Sequence, residues 1–184
     1  YRRARIGILA AAGDNAVIAV SAMSAREPGA DVAVAVSRSL AAAGYRVALV
    51  DAAVDDARVA PLMGIDAGIG LSDALMAPDS DSVRSVTVDG VQVVTAGSDP
   101  HAARERYSGA AIGEVLTRLR AERDFVLLAS SPITTGDGLA AVVGADSVVF
   151  VATDQATTHE QIAAARDLVK RLGVSSLGLL VLLS

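Results

Sequence analysis

The chain has no cysteine, no tryptophan, only two phenylalanines and three tyrosines, and a single lysine, Lys170, among its 184 residues. The absence of cysteine removes disulfides, thiolate metal sites and cysteine nucleophiles together, a usage that fits a cytoplasmic setting. The two histidines, His101 and His159, each fall near a predicted helix start and are read as exposed side chains, so no metal site is expected. No apolar run approaches the roughly 18 residues of a membrane-spanning helix, and no stretch reads as a signal peptide. The net charge of −5 argues against a general nucleic-acid surface, and no nucleic-acid partner is expected.

What the chain has in excess is small aliphatic side chains. It is 52% hydrophobic, with a mean hydropathy of +0.46, carried by Ala and Val rather than by aromatics. That excess suits an α/β fold in which a mostly parallel, doubly wound sheet is covered by helices on both faces, because such strands are buried and almost continuously apolar. The length predicts one domain spanning residues 1–184. Its abrupt opening on Tyr1-Arg2-Arg3, and its stop at Ser184 directly after an apolar run, read as a piece excised from a longer membrane protein.

Strands and helices alternate along the chain. Residues 1–13 predict a short helix, basic at its start and closed by Gly13. Val17–Ser21 predicts a strand, Asp31–Ala43 a helix stopped by Gly44, and Arg46–Asp51 a second strand ending in an acid. Short helices are expected over Ala57–Gly64 and Ser72–Met76, then strands over Ser85–Val88 and Val91–Thr95 with Asp89-Gly90 as a type I′ turn. Asp99-Pro100 reads as the cap and first residue of a helix to about Arg123, with Ile112, Val115, Leu116 and Leu119 on its apolar face. Phe125–Ala129 and Ser147–Ala152 predict core strands, with a small helix near Leu139–Val143 between them. Thr157 and Glu160 suit a capping box for a helix to Leu172, and Leu177–Leu183 predicts the last strand.

The organising stretch is Asn15–Leu40, NAVIAVSAMSAREPGADVAVAVSRSL. A buried strand, a small-residue loop and a helix with Val32, Val36 and Leu40 at i, i+4, i+8 form the place where nucleotide-binding proteins put a phosphate loop, whose backbone N–H groups face an anion. Further pieces fall into line with it. Tyr1-Arg2-x-x-Arg5, AVIAVSA, SLAAAGYRVALVD, GIGLSDALM, VQVVTAGSDP, DFVLLASSP, SVVFVATDQATT and LGLLVLLS follow one another in the order and near the spacing of the MinD/ParA-type phosphate-loop ATPases. More closely, they resemble the cytoplasmic domain of the bacterial tyrosine kinases (BY-kinases) that drive capsule and exopolysaccharide export.

Against that resemblance the departures are systematic. The family loop ends Gly-Lys-Ser/Thr. Counting back from Gly44 places Gly29 at the lysine and Ala30 at the hydroxyl, and matching Gly29 to the family glycine places Ala30 and Asp31 there. In either register no lysine is available, because Lys170 lies on another helix. Arg26 is the one cation inside the loop, but a guanidinium fork does not mimic an ammonium point charge. Asp51 matches the first acid of the family's second motif, whereas Ala53 replaces the second acid, and Ala129 replaces the magnesium-organising Asp of the third. Asp55, Asp56, Thr134, Thr135 and Asp137 remain nearby and read as helix caps and loop solvation. Tyr1, Tyr45 and Tyr107 are scattered and do not form the family's tyrosine cluster; Tyr107 reads as packing rather than as a phosphoacceptor. Pro28 and Asp31, the latter as a cap, are expected to hold the loop in place of a nucleotide.

Loss of the lysine, the hydroxyl and the acids removes most of the electrostatic stabilisation that phosphoryl transfer requires. The resemblance therefore implies a catalytically degenerate BY-kinase-like domain, with no cofactor and weak or absent binding of ATP and magnesium. Its implied work is regulating or scaffolding surface-polysaccharide chain length and export, as in the Wzz-type chain-length determinants, at the cytoplasmic face of the inner membrane. Its implied partners are the export or polymerisation machinery, the membrane through segments outside this chain, and further copies of itself. Self-association would use Arg2 and Arg5, which match the family's oligomerisation helix and share one helical face at i, i+3. The alternatives are an active tyrosine autokinase or ATPase built on Arg26 and Asp51, and a MinD/ParA-like positioning protein.

Overall fold

A computed structural model describes residues 2–77, 83–154 and 157–183. Helix α1 (Arg2–Ala11) precedes strand β1 (Ala16–Ala22), helix α2 (Gly29–Ala41) and strand β2 (Val47–Ala52). Short helices α3 (Val59–Met63) and α4 (Leu71–Met76) lead to the hairpin strands β3 (Val86–Val88) and β4 (Val91–Val94). Then follow α5 (Gly109–Arg120), β5 (Phe125–Ser130), α6 (Gly136–Val143), β6 (Ser147–Thr153), α7 (His159–Arg171) and β7 (Ser175–Leu182). The strands form one sheet in the order β3-β4-β2-β5-β1-β6-β7, parallel except for the β3–β4 pair.

Both faces of the central strands are covered, so their pattern is continuously apolar rather than alternating. Ile18, Val20, Leu49 and Leu127 pack with Val32, Val36 and Leu40 of α2 and Ile8 of α1. Their sequence neighbours point the other way: Val17, Val50 and Leu128 meet Ile112, Val115 and Leu116 of α5. Further along that second face, Ala19 and Phe150 meet Ala165 and Val169 of α7. Burying each Val, Leu, Ile or Phe side chain stabilises by about 1.5–3 kcal/mol. The doubly wound, mostly parallel sheet expected from the composition is therefore the one observed. Among the described residues no helix is long and apolar enough to cross a membrane.

Asp89 and Gly90 both have positive φ (51° and 77°), as the type I′ turn requires. Other boundaries differ from the sequence pattern for local reasons. The helix expected from Asp99 begins instead at Gly109, after a single 3-10 turn over Arg104–Arg106, and Ser108 caps it by accepting the Ala111 N–H. Asp99 holds only a turn, accepting the Ala102 N–H, because the N–H groups of Ser98 and Asp99 are drawn onto the Asp73 carboxylate and the Ser72 hydroxyl of α4. Helix α7 is capped one residue later than expected, by Thr158 with Gln161, since the Thr157 hydroxyl is engaged elsewhere. Helix α2 begins at Gly29, so Asp31 is its third residue and not a cap; its charge sits in the first turn, where the helix dipole favours it.

Candidate functional site: the loop after β1

The carboxyl ends of β2, β5 and β1 lie side by side, the position at which open parallel sheets receive ligands. The pairing sets Asp51 beside Ala129 and Ala52 beside Ser130, with Val20 and Ser21 flanking on β1. The three stretches expected to compose the site are therefore adjacent. Gly29 packs closely under the end of β1, where a Cβ would stand 3.1 Å from Cβ of Ala22 and press that neighbour aside by a few tenths of an ångström.

The space between them is slight. A cavity of about 60 Å³ is walled mostly by small side chains, among them Ala22, Gly29, Ala30, Ala53 and Ala129, together with the acids Glu27 and Asp56. Arg26 is exposed on the loop and does not line this cavity. Asp31 faces Arg58 at 3.9 Å across the surface. Lys170 lies exposed on α7.

Glu27 is a residue the sequence pattern does not single out, and it is almost wholly buried, at 7% exposure. Its carboxylate accepts the N–H of Ser24 at 2.6 Å, the N–H of Thr153 at 3.3 Å and the hydroxyl of Thr157. The loop is tightened further by the Glu27 N–H on the Ser24 carbonyl and the Gly29 N–H on the Glu27 carbonyl. This carboxylate, rather than Pro28 and Asp31, fastens the loop. Its one sequence signal is its place inside the loop, two residues before Gly29; its partners on β6 and before α7 are more than 120 residues away.

Asp51 and Asp137 are held by neutral donors. Asp51, 1% exposed, accepts the N–H groups of Ala53 at 3.2 Å and Val59 at 2.9 Å, so it ties the end of β2 to the start of α3. Burial pushes its carboxyl up to about 6, opposed by those two donors and reinforced by the charge of Asp56. Asp137 accepts from Ser131 Oγ at 2.7 Å and from the Val54 N–H at 3.3 Å. Burial would raise Asp137, but hydrogen bonds from Ser131, Thr135 and Val54 outweigh it and hold the group below its ordinary value. Thr135 caps α6 by accepting the Gly138 N–H. Asp55 pairs with Arg104 at the surface, beside His101, and His159 is the exposed first residue of α7.

Tyr107 packs against the α5 side of the core with its hydroxyl buried and unpaired. Burial, and then the facing charges of Asp51 and Asp137, push its phenol far above the ordinary value. At the other end of the sheet, Arg2 is exposed while Arg5 is half-buried, its guanidinium donating to the Ser39 carbonyl of α2 at 2.9 Å.

No family model matches the chain, and no curated protein sequence does. Solved structures do match its fold. The chain is similar to the kinase domain of the Escherichia coli tyrosine kinase ETK, with a TM-score of 0.85 and 16% identity, over 99% of this chain and 73% of that one. It is similar to the kinase domain of VpsO, with a TM-score of 0.82 and 19% identity, over 98% of this chain and 94% of that one. It is also similar to the septum site-determining protein MinD of Pyrococcus horikoshii, solved with Mg-ADP, with a TM-score of 0.72 and 20% identity, over 89% of this chain and 69% of that one. The chain thus has the phosphate-loop fold shared by BY-kinase domains and MinD/ParA-type ATPases.

Proposed function

We propose that this domain is a pseudokinase: a BY-kinase-like fold that regulates or scaffolds surface-polysaccharide chain length and export by self-association and partner binding, without hydrolysing ATP. The observation that carries the reading is the composition of the loop cavity. It offers about 60 Å³, two acidic side chains and no lysine, where a nucleotide site needs several hundred Å³ and cations for the phosphates. The residues present do not fit a magnesium nucleotide. Asp51, which matches the family's first acid, is committed to two backbone N–H groups, and its position beside Ala129 leaves no second carboxylate to share a metal.

The polysaccharide context rests on the ordered motif resemblance and on the fold shared with tyrosine kinase domains. Arg2 is the exposed arginine of the Arg-x-x-Arg helix and is the residue proposed to reach a neighbouring copy; Arg5, bound to Ser39, orients that helix on α2. The test is autophosphorylation and ATP turnover by the 184-residue chain. Both are expected at background. A measurable turnover abolished by Arg26→Ala would establish an active enzyme instead.

A further inference from the structure

Three donors, from the loop after β1, the end of β6 and the stretch just ahead of α7, converge on one buried carboxylate inside that loop. We propose that Glu27 is an intramolecular latch: its carboxylate takes the place of a phosphate in the loop after β1 and shuts the site to anions. The inference rests on the reading of this site as one that no longer receives nucleotide.

A phosphate loop holds its ligand by turning backbone N–H groups toward a negative charge. Here the Ser24 N–H is spent at 2.6 Å on the chain's own Glu27. The same carboxylate draws in the Thr153 N–H from the end of β6 and the Thr157 hydroxyl ahead of α7, so the loop is stapled to the neighbouring strand end. Among the described residues no cation pairs with Glu27. Its charge is balanced by neutral donors, and a second anion brought into the cavity would meet it and Asp56 without a compensating charge. Capping of α7 by Thr158 rather than Thr157 follows from the same contact.

The test uses the 184-residue chain, Glu27→Gln and Thr157→Val, titrated calorimetrically with inorganic pyrophosphate with and without magnesium, alongside amide hydrogen exchange at Ser24. Wild type is expected to take up no pyrophosphate. Glu27→Gln removes the charge and is expected to give a saturable pyrophosphate isotherm that wild type lacks, with the Ser24 amide exchanging at least tenfold faster. Thr157→Val keeps the carboxylate, so it is expected to loosen the Ser24 amide without admitting pyrophosphate; it also serves if Glu27→Gln fails to fold. No binding by either wild type or Glu27→Gln would overturn the latch while leaving the pseudokinase reading intact. Equal binding by wild type and Glu27→Gln would overturn both. Pyrophosphate binding by Thr157→Val would show that the carboxylate is not what excludes anions.

Discussion

Asp51 on β2 lies in register beside Ala129 on β5, both at the carboxyl end of the sheet and both almost fully buried, at 1% and 2% exposure. A pair of acids here would share a cation; an acid beside a methyl group must find its partners in the backbone. Asp51 finds the N–H groups of Ala53 and Val59. This end of the sheet thus closes on its own backbone.

An acid placed at position 129 should therefore harm the protein. Ala129→Asp places a second carboxylate against a buried one with no cation, and it is expected to cost about 3 kcal/mol at pH 8. Below about pH 6 the Asp51 carboxyl is largely protonated, so the loss should shrink at pH 5. Urea unfolding of the variant at the two pH values measures this; an equal loss at both would show that the two positions do not interact.

The raised Asp51 carboxyl also predicts a pH dependence in the unchanged chain. A folded value of about 6 against 3.8 means the folded state holds the proton more tightly, so this contribution is complete below about pH 3.8 and is lost as pH rises through 6. The loss integrates to about 3 kcal/mol. Asp137 acts in the opposite sense, its contribution disappearing as pH falls below the ordinary carboxylate range. Asp51→Asn should remove the Asp51 component, so its stability relative to wild type should rise between pH 4 and pH 7. A flat difference over that interval would contradict the assignment.

Capping separates the observed start of α5 from the expected one. Ser108→Ala removes the acceptor for the Ala111 N–H and is expected to cost about 1 kcal/mol, lowering Tm by about 2–4 °C. Asp99→Ala, at the position the sequence marks as the cap, removes only an exposed turn contact and should change Tm by less.

The two arginines of α1 should part company. Arg5→Ala breaks the half-buried bond to Ser39 and is expected to lower stability by about 1 kcal/mol. Arg2→Ala, at an exposed position, should leave the unfolding curve in place and reduce self-association in sedimentation velocity. An unchanged sedimentation profile, in a wild type that does self-associate, would remove Arg2 from the interface.

The strands were legible because a buried parallel strand writes itself as an unbroken apolar run; AVIAVSA, VALVDA and FVLLAS are buried throughout. Helix starts were less so, since competing caps differ by a single hydroxyl. Thr157 with Glu160 and Thr158 with Gln161 are both acceptable boxes, and only the distant Glu27 decides between them. That Gly29, Ala30, Ala53 and Ala129 carry neither a lysine nor an acid is plain in the sequence, because residue type needs no geometry. The burial of Glu27 is not plain there. A glutamate in a polar loop is ordinarily solvated, and its burial depends on donors that the sheet order brings next to β1 from β6.

The central claim, a phosphate-loop fold that no longer takes nucleotide, is tested most directly by isothermal titration of the domain with ATP in the presence and absence of magnesium. The account predicts no saturable heat in either titration. Tight, magnesium-dependent binding would contradict it.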